Sequence, residues 1–94
     1  MKVLSIPTGS RSELIDVTDR LAAALAEEGL QHGVLVAFVP HTTAGITINE
    51  NADPSVRRDL IGTLARLAPA DLPYAHLEGN ADAHVKASLV GSSV

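Results

Sequence analysis

The 94-residue chain contains no cysteine and no tryptophan, and only one tyrosine and one phenylalanine. The absence of cysteine excludes disulfide bonds, thiolate metal sites and cysteine nucleophiles. Because the hydrophobic fraction is nevertheless 46%, the core is expected to be aliphatic. A chain of this size buries roughly 64% of the surface that its unfolded form exposes. Association with further copies of the chain would therefore help to stabilise the fold.

The chain also lacks an excess of positive charge and a long apolar run. Seven basic side chains stand against eleven acidic ones, which gives a net charge of −4. This balance argues against nucleic acid or an anionic membrane as a partner. No apolar run approaches the roughly 18 residues of a membrane-spanning helix, and the first residues do not read as a signal peptide. We therefore expect a cytoplasmic protein.

Capping residues predict two helices and leave a third segment ambiguous. The first helix is predicted to begin at Thr18 as its N-cap and to end at Gly29. The second begins at Asp53-Pro54, an Asp cap followed by proline at the first helical position. Residues 83–90, which precede Gly91, fit either a short helix or a strand.

Four segments have the composition of strands. Residues 2–6 and 13–17 are predicted to form a hairpin. Residues 33–39 (GVLVAFV) are a continuous apolar run, which is typical of a strand buried on both faces. Residues 46–49 alternate with period two. The prediction is an α+β fold, a single domain over residues 1–94, with a mainly antiparallel, sandwich-like sheet and two to three helices.

Three of the four histidines are candidates for a metal site. His32 lies in a polar turn and is interpreted as a solvated loop residue. His41 follows the apolar run, whereas His76 and His84 bracket a turn-rich segment. In a chain without cysteine, three histidines are the simplest way to bind Zn²⁺. Their spacing matches no compact zinc motif, so on spacing alone ordinary hydrogen-bonded histidines remain the alternative.

Polar residues near His41 form a second candidate group. Glu50 lies between Asn49 and Asn51 directly after a predicted strand, and it fits a ligand shell or a general base as well as it fits turn chemistry. Thr43 could bind a phosphate or orient a neighbouring side chain, although threonine at a strand end also reflects β-propensity. Lys86 could bind an anion, and the alternative is a solvated helix face.

Two long blocks of the sequence resemble the YjbQ-like family, which is also described as secondary thiamine-phosphate synthase-like. The first block is VPHTTAGITINEN at 39–51, followed by Asp53-Pro54 and VRRD at 56–59. The second block runs from Tyr74 to Gly91 and includes EGN at 78–80 and AHVKASL at 83–89. The resemblance covers residues 33–94, and residues 1–32 fit a looser pattern. Family members continue through a Gly-Thr-Trp-Gln stretch, so the resemblance implies that residues 1–94 lack the C-terminal strands.

The resemblance implies a fold, an assembly and a site. It implies an antiparallel α+β fold and a homotrimer with sites near the subunit interfaces. The implied cofactor is a divalent metal, zinc with magnesium as the alternative, on His41, His76 and His84. The candidate catalytic residues are Glu50 and His41. The candidate substrate-binding residues are Thr43, Asn49, Asn51, Glu78, Asn80 and Lys86; the resemblance implies that Glu50, the three asparagines and Glu78 line one pocket, where Lys86 could bind an anion.

Three functions follow as hypotheses. The first is a metal-dependent enzyme acting on a small phosphorylated metabolite, with the thiamine-phosphate synthase reaction that the family description suggests. That reaction joins a thiazole phosphate to a pyrimidine pyrophosphate. The second is a metal-assisted hydrolase, because a three-histidine site suits water activation on zinc. The third is a trimeric metabolite-binding module without turnover.

Overall fold

The computed structural model describes all of residues 1–94 and divides them into two compact units, Met1–Leu35 and Val36–Val94. Helix α1 spans Thr18–Glu28 in the first unit. Helices α2, Pro54–Leu67, and α3, Ala81–Val90, belong to the second unit. The single-domain organisation stays a prediction.

Helix α1 ends at Gly29 as predicted, but its N-cap residue differs from the prediction. Gly29 adopts the left-handed conformation with φ of 68°, and its N–H donates to the carbonyl of Ala26 at 3.2 Å. The cap position is Val17, which has no side-chain acceptor, so the prediction of a Thr18 cap is wrong. Instead, the Thr18 N–H donates to Asp16 Oδ1 at 2.9 Å. The Asp16 carboxylate thus accepts a hydrogen bond from one of the backbone N–H groups that have no partner within the helix.

Helix α2 confirms the Asp-Pro start. Asp53 has extended dihedral angles, and its Oδ1 accepts a hydrogen bond from the Ser55 N–H at 2.9 Å. Pro54 occupies the first turn, where its missing N–H costs nothing. The helix ends at Leu67, two residues before Pro69.

The cap of α2 makes stability depend on pH in the acid range. The Ser55 backbone N–H, and then its hydroxyl, lower the pKa of Asp53 below the usual 3.8. A lowered folded-state pKa adds stability above the unfolded pKa, and this is lost as the pH falls through the folded pKa. We expect the urea midpoint of the wild type to fall below about pH 4 more steeply than that of Asp53→Asn, because asparagine caps equally well without titrating. Parallel profiles from about pH 2.5 to 6 would contradict this assignment.

Helix α3 settles the ambiguity of residues 83–90 in favour of a helix and begins two residues earlier. Asn80 is its cap residue, and Gly91 ends it with φ of 100°. The Gly91 N–H donates to the carbonyl of Ala87 at 2.9 Å. The glycine is required here because its positive φ disfavours any residue with a Cβ. It leads into residues 92–94, whose backbone groups bond to Ala37 and Val39.

The predicted antiparallel sheet is wrong. Residues 33–39 form one isolated antiparallel bridge, between Phe38 and Ser93, and no further ladder. The Ala37 N–H donates to the Val94 carbonyl at 2.9 Å, and the Val94 N–H returns a bond of 3.0 Å. Residues 2–6, 13–17 and 46–49 form no strand, so the predicted hairpin is also absent.

The predicted sheet is absent because a strand is stable only when the backbone of another strand pairs with it. Each extended segment must direct its N–H and C=O groups to another segment, and apolar composition alone supplies none. Val36 is 71% exposed and Phe38 is 65% exposed, although the sequence predicts burial on both faces. The aliphatic core is correspondingly small, since the only buried residues are Ala68 and Asp82.

The helices are short compared with a lipid bilayer. The longest, α2, has 14 residues, whereas a transmembrane helix needs about 20. No helix in the structure therefore combines the length and apolar character of a membrane span.

Candidate functional site

Two of the predicted histidines meet in a cavity beside α3. The imidazole rings of His76 and His84 lie 5.2 Å apart between centroids and cross at 85°, an edge-to-face contact. His84 comes from the first turn of α3, and His76 comes from the loop that leads into that helix. The cavity is a shallow depression that is largely open to solvent, with a volume of about 350 Å³. Its walls are Tyr74, Ala75, His76, Ala81, His84 and Val85.

Tyr74 forms a fixed wall of this cavity. Its hydroxyl donates a 2.7 Å hydrogen bond to the carbonyl of Pro69, and its backbone N–H donates to the carbonyl of Leu72 at 2.8 Å. The side chain is half-buried. Because both ends of the residue are anchored within its own loop, the ring presents a constant surface to the cavity.

A carboxylate accompanies the histidine pair. Glu78 Oε2 lies 3.4 Å from His76 Nε2, and the Glu78 side chain is 74% exposed. The loop reverses at Gly79, whose φ of 78° allows this return toward α3. His76 therefore contacts two other predicted residues, His84 through its ring and Glu78 through its Nε2 atom.

His41 lies toward the other end of α3. It is exposed in the turn that follows Val39, whose N–H donates to the Ser92 carbonyl at 2.8 Å. Gly45, at the end of the same turn, packs against Gly91. His84 precedes Gly91 by seven residues, or about 10 Å along a helix axis. Within one chain, His41 is not grouped with the other two histidines.

Lys86 is on the opposite side of α3 from His84. Its Nζ donates to Asp82 Oδ2 at 2.8 Å, and the two side chains are 17% and 3% exposed. Residues two apart on a helix are separated by roughly 200° around its axis, so they do not face each other. A small molecule bound in the histidine cavity is therefore separated from the Lys86 ammonium by the helix itself.

Asn80 caps α3 with its backbone rather than its side chain. Its Oδ1 is buried and accepts no hydrogen bond. An unsatisfied buried acceptor costs about 1–3 kcal/mol. Asn80 directly precedes the first helical residue, one turn before His84.

The remaining predicted site residues lie on the exposed segment 41–51. Asn49 Oδ1 accepts a hydrogen bond from the Glu50 N–H at 2.7 Å, which is local turn chemistry. Thr43, Glu50 and Asn51 are exposed, and none of these side chains lines the histidine cavity. The structure thus divides the predicted residues: His76, His84 and Glu78 lie at or beside the cavity, Lys86 is on the other side of α3, and residues 41–51 lie elsewhere.

Five residues of this region were not predicted as site residues. Tyr74, Ala75, Ala81 and Val85 line the cavity, and Asp82 holds Lys86. Tyr74 is the only tyrosine of the chain and directly precedes the His76 region, a signal that sequence reasoning could have used. The role of Asp82 shows only once residues 82 and 86 are known to be helical, since i and i+4 then face each other.

The donor set of the cavity is chemically suited to a borderline metal ion. Imidazole nitrogens favour zinc, copper or nickel over magnesium, which prefers oxygen ligands. The structure contains no group of three or more histidine or carboxylate side chains in metal-binding proximity. A metal held by His76 and His84 would therefore need a further ligand.

Comparison with known proteins gives close matches over nearly the whole chain. A family model described as UPF0047 protein YjbQ-like matches residues 2–94. The UPF0047 protein MJ1081 of Methanocaldococcus jannaschii is 54% identical over 88 residues, which cover 94% of this chain and 64% of that protein. The UPF0047 protein YugU of Bacillus subtilis is 46% identical over 94 residues, with coverage of 99% and 71%. The chain therefore spans roughly two thirds of the length of these relatives.

Solved structures give the same result. The conserved hypothetical protein TT1486 of Thermus thermophilus superposes with a TM-score of 0.86 at 45% identity, over 97% of this chain and 70% of that chain. An uncharacterised YjbQ/UPF0047 protein of Clostridium acetobutylicum superposes with a TM-score of 0.82 at 54% identity, over 85% and 62%. None of these names assigns an activity.

Proposed function

Because this chain belongs to the UPF0047 YjbQ-like family, we propose that it is a metal-dependent enzyme acting on a small phosphorylated metabolite. The observation that carries the proposal is the edge-to-face pair of His76 and His84 in a cavity of about 350 Å³. Two imidazoles side by side in a small-molecule cavity are suited to metal binding and to proton transfer.

The proposed metal is zinc, held by His76 and His84, with His41 as the third ligand. The donor chemistry favours zinc over magnesium. His41 lies toward the far end of α3, so the ligand set is completed most simply by His41 from a neighbouring copy. This agrees with the homotrimer, with sites near its interfaces, that the sequence resemblance implies. The two histidines of one chain would then supply part of each site.

The proposed reaction is the thiamine-phosphate synthase step. The thiazole nitrogen attacks the methylene carbon of the pyrimidine pyrophosphate, a C–N bond forms, and the C–O bond to pyrophosphate breaks. Pyrophosphate leaves with the electron pair, so the step needs no oxidant or reductant. When bound, a metal ion supplies Lewis acidity that stabilises charge on the departing group. The coupling step releases no proton, so Glu50 is proposed as a base for the hydrolase alternative, in which a water loses one. The polar residues of 41–51 are proposed to contact phosphate from a neighbouring copy, as His41 does. Lys86, held by Asp82 on the other side of α3, is not assigned a phosphate contact.

The metal proposal makes a direct prediction for His84. We expect purified wild-type protein to retain about one zinc per chain after dialysis, and His84→Ala to retain less than about a tenth of that amount, because a single imidazole is a weak zinc site. His32→Ala is the matched control, since His32 lies outside the cavity and in the other unit. Elemental analysis of all three proteins measures the effect.

Two further variants sharpen this experiment. If His41 completes the site from a neighbouring copy, His41→Ala and His84→Ala will each lose zinc, and mixing the two variants under exchange conditions will restore part of it. Equal zinc in wild type and His84→Ala would overturn the metal site. Zinc binding without formation of thiamine phosphate from the two substrates would favour the hydrolase. Ligand binding without turnover would favour the metabolite-binding module.

A further inference from the structure

We propose that Glu78 is a positioning residue for His76: its carboxylate accepts the proton on Nε2 of the imidazole and thereby leaves Nδ1 as the nitrogen that binds the metal. This inference rests on the proposed function in that His76 is a metal ligand there. It assigns Glu78 to the imidazole rather than to the substrate, and it names the metal-binding atom of His76.

The contact that carries this inference joins a carboxylate oxygen to one nitrogen of the ring. Glu78 Oε2 lies 3.4 Å from His76 Nε2. A neutral imidazole carries its proton on one nitrogen, and the other nitrogen keeps the lone pair that binds a metal. An ionised carboxylate only accepts hydrogen bonds, so it stabilises the tautomer that has the proton on the nearer nitrogen. The lone pair of His76 is then on Nδ1.

The spacing of the two imidazoles is compatible with one shared ion. Zinc binds imidazole nitrogen at about 2.0–2.1 Å in a tetrahedral arrangement, and the ring centre lies about 1.1 Å further out, so two rings on one zinc have centres about 5 Å apart. The rings of His76 and His84 are 5.2 Å apart between centroids. Since the separation is already suitable, what remains to be set is which nitrogen of each ring carries the lone pair.

Glu78 is placed beside the ring rather than in the cavity. His76 lines the cavity, whereas Glu78 is not among the residues that line it. The rival role for this carboxylate is direct metal binding, but Glu78, His76 and His84 do not form a group of three side chains in metal-binding proximity. A carboxylate on the outer nitrogen of a metal-binding histidine is a common arrangement, which fixes the tautomer and the ring orientation.

The exposure of Glu78 sets the size of the expected effect. Removing such a partner typically weakens metal binding about 10–100-fold. Because the Glu78 side chain is 74% exposed and water competes for its oxygens, we expect Glu78→Ala to weaken zinc binding about ten-fold, the lower end of that range. Glu78→Gln keeps an acceptor oxygen and should lose no more than about three-fold. Competition with a chromophoric chelator measures both affinities.

The matched control removes the same charge elsewhere. Glu28 is exposed at the end of α1, in the other unit. Glu28→Ala changes the net charge as Glu78→Ala does, so it should leave zinc affinity unchanged if the effect is local. All three variants are checked for a wild-type circular dichroism spectrum.

NMR reads the tautomer directly and without any metal. In metal-free, ¹⁵N-labelled protein at about pH 9, where imidazole is neutral, the ring-nitrogen shifts show which nitrogen carries the proton. We expect His76 to carry it on Nε2 in the wild type and in Glu78→Gln, and to populate both tautomers in Glu78→Ala. In protein loaded with ¹¹³Cd²⁺ in place of zinc, we expect the metal to couple to Nδ1 of His76.

The outcomes separate this inference from the metal proposal. A proton on Nδ1 of His76 in the wild type, or coupling of cadmium to Nε2, would overturn the inference. So would a Glu78→Gln variant that keeps the Nε2 proton yet loses as much zinc affinity as Glu78→Ala, because Glu78 would then be a ligand itself. The expected tautomers in a protein that binds no zinc would overturn the metal site and leave the assignment of Glu78 to His76 standing. Zinc binding that Glu78→Ala does not weaken would do the reverse.

Discussion

Replacing Lys86 with methionine is expected to lower the free energy of unfolding by about 3 kcal/mol, because the change removes one partner of a buried ion pair. Asp82 is only 2% exposed and accepts a 2.8 Å hydrogen bond from the Lys86 ammonium. Methionine fills a similar volume, so the loss reflects charge rather than a cavity. Urea denaturation followed by circular dichroism measures it.

The control for this prediction is the other lysine ion pair of the chain. Lys2 pairs with Glu27, whose side chain is 69% exposed, and exposed pairs contribute about 0–1 kcal/mol. Lys2→Met should therefore cost much less than Lys86→Met. The double variant Asp82→Leu/Lys86→Met should recover most of the lost stability, since both charges are removed together. If Lys86→Met lowered the free energy of unfolding by no more than Lys2→Met does, the buried ion pair would contribute no more than the exposed one.

Adding one methyl group at Gly45 is expected to destabilise the protein by about 1–3 kcal/mol, the usual cost of overpacking. A Cβ at this position would lie 2.7 Å from the carbonyl oxygen of Gly91 and 3.0 Å from Val90 Cγ1. The neighbouring Ile46 N–H donates to that same carbonyl at 3.0 Å. Gly45→Ala therefore has to displace the turn from α3 and weaken this bond.

Gly62→Ala is a matched control, for which the expected change in stability has the opposite sign. It lies inside α2, and a Cβ built there meets no atom within 4 Å. Alanine is preferred over glycine in a helix interior by roughly 0.5–1 kcal/mol. Thermal melts of Gly45→Ala and Gly62→Ala should therefore shift in opposite directions. A neutral or stabilising Gly45→Ala would mean that the turn does not pack against α3 as the structure shows.

The helices could be predicted from the sequence because their determinants are local. The Asp53-Pro54 start and the Gly29 end each use hydrogen bonds within a few residues. The sheet could not be predicted correctly, because residues 33–39 have strand composition whereas pairing depends on a distant segment. In the structure only residues 92–94 supply such a partner.

The candidate site could be predicted only in part, because the sequence does not decide the secondary structure of residues 83–90. Residues 83–90 fitted both a helix and a strand, and this choice decides which side chains face each other. In a strand His84 and Lys86 would share a face, since side chains alternate with period two. In the helix they point to opposite sides, and Lys86 instead faces Asp82. The sequence could place His76 and His84 at the two ends of one turn-rich loop, and the return of that loop at Gly79 brings their rings together.

The bridge between residues 37–39 and 92–94 also imposes an order on synthesis. Its partners are more than fifty positions apart in the chain, so the contact cannot form until the later segment has left the ribosome. Until then the apolar residues around Phe38 have no backbone partner in this unit. Such a stretch is a target for chaperones and for aggregation in a nascent chain. Helix α2 closes its hydrogen bonds within its own 14 residues, so it can begin to form before that closure, but a helix of this length is only marginally stable until it packs.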